Sequence, residues 1–192
     1  MDQISSKKVQ ILESALELIR EKGFHGSPIS QVAKHASVAA GSVYTYFESK
    51  DEMIFELYRY VKSEVLKEIS EKDDPKKNFE DRFFDFWNNL TSLYQERVAF
   101  QSFLEQFTSS PYNTETMQLE TDPWGRWTEA FFREGVESGQ LRPLNPKILS
   151  MMVMGSVISL IRFRTYFKTK TASASQDLHL IPQMVWDGIK FQ

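Results

Sequence analysis

Apolar residues recur along this chain at i, i+3, i+4 and i+7 almost throughout, in stretches parted by short breaks carrying glycine, proline or serine. That period gathers the apolar side chains of each stretch on one side of a helix. A strand would need alternation, and none is sustained. The spacing predicts an all-α protein of about nine helices, near residues 4–22, 29–36, 40–47, 50–71, 75–95, 98–108, 122–138, 146–167 and 177–190.

Local signals place the ends. Gly23 follows a basic last turn and suits the left-handed residue that stops the first helix, whose inner stripe is Ile11, Leu12, Ala15, Leu16, Leu18 and Ile19. The second helix gathers Ile29, Val32, Ala33 and Ala36. Ser49-Lys50-Asp51-Glu52 reads as a capping box opening the fourth helix, with Met53, Ile54, Leu57, Val61 and Leu66 near one face. Pro75 suits a first helical turn, where its missing N–H does no harm. Ser109-Ser110-Pro111, Gln140 to Pro143 and Lys168 to Ser175 read as loops, and Pro182 should kink or delay the last helix.

Composition excludes several chemistries. There is no cysteine, hence no disulfide and no thiolate metal site. His25, His35 and His179 lack metal-ligand spacing. Glu13/Glu17 and Glu64/Glu68 lie among lysines and read as solvated helix faces. Neither a glycine-rich phosphate loop nor a nucleophile elbow occurs. No catalytic residue, metal or cofactor is expected. The polar start MDQISSKK lacks the look of a secretory signal. The longest apolar run, Ile148 to Ile161, is shorter than the roughly 20 residues a membrane span needs. A cytoplasmic protein with no membrane partner is expected. The net charge is −3, and residues 1–50 carry six basic against five acidic side chains. Nucleic-acid binding would therefore have to rest on pattern rather than on a strongly basic surface.

Residues 27–52 supply such a pattern. Short helices joined by a tight turn are the signature of a helix-turn-helix. On a helical wheel Val43, Phe47, Ala39 and Ala40 fall inward. Gly41, Ser42 and Thr45 form the outermost face, with Tyr44 and Tyr46 on its flanks. An element entering a major groove about 12 Å wide needs a slim leading face. Phenols on the flanks can donate to phosphate oxygens. Lys50 sits in a first helical turn, where a cation faces the positive end of the helix dipole, and a nearby phosphate would make it favourable.

The run ALELIREKGFHGSPISQVAKHASVAAGSVYTYFESKDEM, within Ile11 to Phe55, resembles the DNA-binding head of TetR-type (tetracycline-repressor-like) bacterial regulators. The most specific parts are Gly23-Phe24 after the first helix, Val32-Ala33 in the second, and the run G-x-x-Y-x-Y-F-x-S-K, present as Gly41, Tyr44, Tyr46, Phe47, Ser49 and Lys50. The resemblance implies base or phosphate contact by Ser42, phosphate and sugar contacts by Tyr44 and Tyr46, a groove position for Thr45 and a phosphate contact for Lys50. Ala40 and Gly41 count with them, and Ser27 and Ser30 would touch the adjoining backbone. Three departures stand out. Ser37 replaces the turn glycine, Ala39-Ala40 replaces polar residues, and Pro28-Ile29 stands where a threonine is common. So few long polar side chains leave thymine methyl contacts and DNA shape to carry specificity.

The division expected is a head at 1–48 and a helical ligand-binding and dimerisation core at 49–192, with 49–71 as the connecting helix. Aromatic stripes supply pocket candidates: Phe83 and Trp87, then Phe103 and Phe107 with Glu105, and then Trp124, Trp127 and Phe131. Gln106 and Arg126 are further polar candidates. Lys147 to Ile161 is apolar nearly all round and suits a subunit interface. Met151, Met154, Gly155 and Ile158 would meet Met184, Val185 and Ile189 there, with Trp186 beside them. The resemblance likewise implies dimerisation through the last two long helices. The expected function is a homodimeric, ligand-responsive regulator, a repressor that binds a near-palindromic double-stranded DNA operator and is released by an apolar or aromatic small molecule. The alternative is a helical interaction module whose head no longer binds DNA.

Overall fold

The computed structural model describes residues 3–114, 122–166 and 177–191. Nine α-helices run in order among them: α1 Gln3–Lys22, α2 Ile29–His35, α3 Ala40–Tyr44, α4 Lys50–Ser70, α5 Phe79–Glu96, α6 Val98–Thr108, α7 Pro123–Glu137, α8 Pro146–Tyr166 and α9 Ile181–Ile189. A 3-10 turn, Leu178–Leu180, precedes α9 and places Pro182 in its first turn, the delay expected of that proline. The expected loop at 168–175 lies outside the described residues.

Two starts differ from the sequence reading. Helix α5 opens at Phe79 rather than near Pro75, because Asn78 accepts the Asp81 N–H at 2.9 Å and caps it. Asp74 meanwhile holds a turn over 74–77. At α4, Ser49 Oγ accepts the Glu52 N–H at 3.1 Å, while the Glu52 carboxylate takes the N–H of Glu48, one residue earlier than in a strict capping box.

The chain divides into two compact units, Met1–Glu64 with Arg97–Asp122 and Val65–Glu96 with Pro123–Gln192. In the first, the stripe predicted for α1 is buried and packs on α2 and α6. Each leucine and isoleucine of that stripe contributes about 1.5–3 kcal/mol on leaving water. Polar ties fasten the helices as well. Glu13 accepts from the Tyr60 hydroxyl and from Arg97 at 2.6 Å, and Lys8 pairs with Glu56 at 2.6 Å. Tyr58 stacks on Phe107 with centroids 4.3 Å apart, and burial and Asp122 push its phenol up to about 12.

In the second unit α8 packs on α5, α7 and α9. The inner edge of α4 continues here through Val65 and Ile69, not Leu66 as the wheel suggested. The buried Arg82 makes a bidentate pair with Asp73 (2.8 and 2.9 Å), reaches Glu134 at 2.5 Å, and lies over the Phe131 ring. Phe79 presses so closely on Gly135 that a Cβ there would stand 2.5 Å from the ring. Over Pro146–Thr165, helix α8 is long and apolar enough to cross a membrane by length and composition. Its inner edge, Leu149, Val153, Val157, Leu160 and Ile161, is buried against its neighbours, while Ile148, Met151 and Met152 face outward.

Candidate nucleic-acid interface

The candidate site is the turn from α2 into α3. Helix α2 seats Ile29, Val32 and Ala33 in the core, and Ala36 follows them inward. The chain then reverses at Ser37, whose φ of +54° makes it the one non-glycine residue with positive φ among the described residues. Ser37 N–H donates to Lys34 O at 3.2 Å and Val38 N–H to Ala33 O at 2.9 Å. These are the paired bonds of a Schellman ending, which glycine usually occupies. The departure noted at Ser37 is thus a left-handed serine.

Beyond the turn, Val43 and Phe47 are buried and anchor α3. Ala39 and Ala40, expected inward, are exposed. Helix α3 begins only at Ala40, and Ala39 is its extended cap, so neither reaches the inner face. The outer surface is small and open. Gly41 is exposed, with nothing within 4 Å of where a Cβ would stand. Thr45 is exposed, its hydroxyl donating to Gly41 O at 3.3 Å, and Ser42 is half-buried. Tyr44 stands 58% exposed, while Tyr46 is half-buried beside Phe47 with ring centroids 6.4 Å apart. A slim polar strip between two phenols is the shape a groove-reading element requires.

Two contact candidates fare differently. Ser30 is exposed at the start of α2. Ser27 is fully buried, its hydroxyl donating to Gly23 O at 2.8 Å, so it holds the loop after α1 and cannot reach a DNA backbone. Lys50 is half-buried, with Nζ donating to the Phe24 carbonyl at 2.5 Å. An ammonium has three donors, so two remain for a phosphate.

Residues 11–57 match the model of bacterial regulatory proteins of the tetR family, and residues 78–190 match that of the tetracyclin repressor-like C-terminal domain. The chain belongs to the TetR family. It is a helix-turn-helix transcriptional regulator of that family, and its all-helical fold is the TetR fold. Among relatives, a fatty acid metabolism regulator protein of Bacillus subtilis is 24% identical over 160 residues, 82% of each chain. The crystal structure of a TetR family transcription regulator from Marinobacter aquaeolei superposes with a TM-score of 0.87 at 19% identity, covering 99% of this chain and 98% of that one. The transcriptional regulator FadR from Bacillus subtilis, solved in complex with stearoyl-CoA, superposes with a TM-score of 0.73 at 18% identity, covering 94% and 98%.

In this TetR chain the aromatic pocket candidates fall in both units. Phe103 and Phe107 are buried in the first, with Glu105 half-buried beside them. Phe83, Trp87, Trp124 and Phe131 are buried in the second, where Trp127 is half-buried. Trp124, Trp127, Phe131 and Phe86 stack on one another there, Trp124 to Trp127 at 5.8 Å. Trp87 donates its indole N–H to Ser156 at 2.9 Å. Of the polar candidates, Gln106 reaches the Ile19 carbonyl at 3.3 Å and Arg126 is exposed.

The interface candidates also separate. Met151, Gly155 and Met184 are exposed, and Met154, Ile158 and Val185 are half-exposed. Ile189 is 1% exposed and Trp186 is packed against Phe79, Phe83 and Phe84. Both belong to the core of their own unit, because α9 turns that edge inward, and neither can form the outer surface expected of them.

One cleft has no counterpart in the sequence reading beyond Gln106. It holds about 690 Å³ in the first unit, between Phe24 and His25, Asp51 and Phe55 on α4, and Gln106 with the turn 109–112. Tyr112 donates its hydroxyl to Asp51 Oδ1 at 3.0 Å, and burial followed by that carboxylate raises its pKa. Three segments distant in sequence build this cleft, so no local spacing announces it.

Proposed function

We propose that this regulator is a homodimeric repressor that reads a near-palindromic double-stranded operator and leaves it when an apolar small molecule binds. The observation that carries the reading is the outer face of α3, where Gly41, Ser42 and Thr45 lie open between Tyr44 and Tyr46. Ala40, which opens α3, and the exposed Ser30 at the start of α2 are further contact candidates, and Lys50 adds a phosphate contact through its free donors. Functionally the head is residues 1–48, and 49–192 forms the effector-binding and dimerisation part. Reading chromosomal DNA places the protein in the cytoplasm.

Dimerisation runs through Met151, Met154, Gly155 and Ile158 of α8 with Met184 and Val185 of α9. This reading is supported by the exposure of large apolar side chains that a chain alone would leave in water, Met151 at 67% and Met184 at 68%. The effector class is an apolar or aromatic compound, with long acyl thioesters the first to try. The wealth of buried rings supports an apolar lining, and the Bacillus subtilis FadR was solved with stearoyl-CoA. The rings proposed to meet it are Phe83, Trp87, Trp124, Trp127 and Phe131 of the second unit; Phe103 and Phe107 with Glu105, in the first unit, are the alternative set. A ligand shifts DNA binding only through its differential affinity for the two states.

The test is selection from a random DNA pool at moderate salt, followed by binding titrations. Enrichment of one near-palindrome is expected, with half-sites a helical turn or a multiple of it apart. Tyr44→Phe should bind it about fivefold more weakly, the worth of one hydrogen bond. Lys50→Ala should reduce the salt dependence by about one phosphate contact. Failure of folded, dimeric protein to enrich any sequence, with and without stearoyl-CoA, would replace this reading with a helical interaction module.

A further inference from the structure

We propose that the cleft beside Asp51 is a separate small-molecule site that takes an organic cation, an apolar or aromatic compound bearing a quaternary or protonated amine. Its volume of about 690 Å³ lies within the range of small-molecule sites, and all its walls belong to the first unit. Aromatic rings dominate one wall. Tyr112 lies 5.2 Å from Phe24 at 54° and 5.8 Å from Phe55 at 83°, so the three rings meet at steep angles rather than in one flat stack. Ring faces carry the negative part of the aromatic quadrupole and attract cations.

Asp51 is the one carboxylate among the lining residues, which also include His25. Asp51 is exposed at the cleft, its Oδ1 accepting the Tyr112 hydroxyl, and it forms no ion pair among the described residues. The neighbouring cation, Lys50, is not among the residues that line the cleft, and its Nζ donates to the Phe24 carbonyl. A carboxylate beside three rings repels anionic ligands and favours a cation able to lie against the rings and keep the carboxylate within reach. Gln106, Ser109 and Ser110 add polar side chains to the lining. Phe24 leads into α2, and Asp51 and Phe55 lie on the helix that leaves α3. An occupant would thus touch both ends of the segment that carries the reading face.

This site does not depend on the effector proposed above, and its test uses the DNA-free full chain. Benzyltrimethylammonium, titrated by calorimetry, is expected to give one saturable site per chain. Benzyl alcohol, which lacks the charge, should bind at least tenfold more weakly. Asp51→Asn keeps an acceptor for the Tyr112 hydroxyl and should weaken the cation about two- to fivefold. Phe55→Leu removes one ring and should weaken it as well. Tyr112→Phe keeps the ring, releases the carboxylate, and should bind at least as tightly as the parent. Absence of saturable heat at millimolar probe would overturn the assignment. So would equal binding of benzyl alcohol, or cation binding that both Asp51→Asn and Phe55→Leu leave unchanged.

Discussion

Replacing Ser37 with glycine should stabilise the protein, although it removes atoms and adds no contact. Ser37 sits at φ +54° in a Schellman turn held by its own N–H and that of Val38. A residue with a Cβ in that region costs about 1–2 kcal/mol against the clash with its carbonyl. Glycine relieves that cost but loses about 0.5–1 kcal/mol through the greater freedom of the unfolded chain. The side chain is exposed, so no packing is lost, and the net gain is about 0.5–1 kcal/mol. For a chain of this length that corresponds to a rise in midpoint of about 1–4 °C. Thermal unfolding followed by far-ultraviolet circular dichroism measures it. The same geometry closes α7, where Gly139 stands at φ +72° and Gln140 N–H donates to Gly135 O at 3.0 Å. Gly139→Ala should therefore lose about 1 kcal/mol, the reverse exchange at a matched turn. A midpoint for Ser37→Gly that stays put or falls would refute the strain argument.

Gly135→Ala should cost about 1–3 kcal/mol, because a Cβ would run into the Phe79 ring and the Leu141 side chain; thermal unfolding reads it. Met151→Asp with Met184→Asp should leave a folded monomer in sedimentation; an intact dimer would move the interface elsewhere. At Glu56 burial opposes the charge, but the hydrogen bonds from Lys8 and Arg59 prevail and hold its carboxyl below the usual 4.5. A lowered folded-state pKa gives stability that is present above that value and lost as pH falls through the lower one. Acid titration of Glu56→Gln should accordingly show a shallower loss of stability below about pH 4.5 than the parent does.

Much of this architecture is readable one segment at a time. Amphipathic period alone locates the cores of α1, α2, α4, α5 and α7, since Ile11, Val32, Val61, Phe83 and Phe131 are each buried on the face that the spacing assigns. The head is legible because its function demands particular residues at fixed offsets, from Gly41 through Lys50. Legibility fails where a competing local bond decides. Asn78 outbids Pro75 for the start of α5, and the extended backbone at Ala39 carries two alanines outward. It fails again where a single face serves two purposes. Met184 and Ile189 share the apolar pattern of α9, yet one points to solvent and the other into the unit. The Asp51 cleft was beyond any such reading, being assembled from pieces more than 25 residues apart in the chain.

The stacked rings of α5 and α7 have an optical consequence. Trp87, Trp124, Trp127 and Trp186 all belong to the second unit, and the first contains no indole. Tryptophan emission is thus a private signal of the half that carries α8 and α9, silent on the reading head. Helical ellipticity, by contrast, sums over both. If the two traces coincide during unfolding, the halves melt as one cooperative body. If they part, the difference between them is the melting curve of the DNA-reading half, obtained without a label or a mutation.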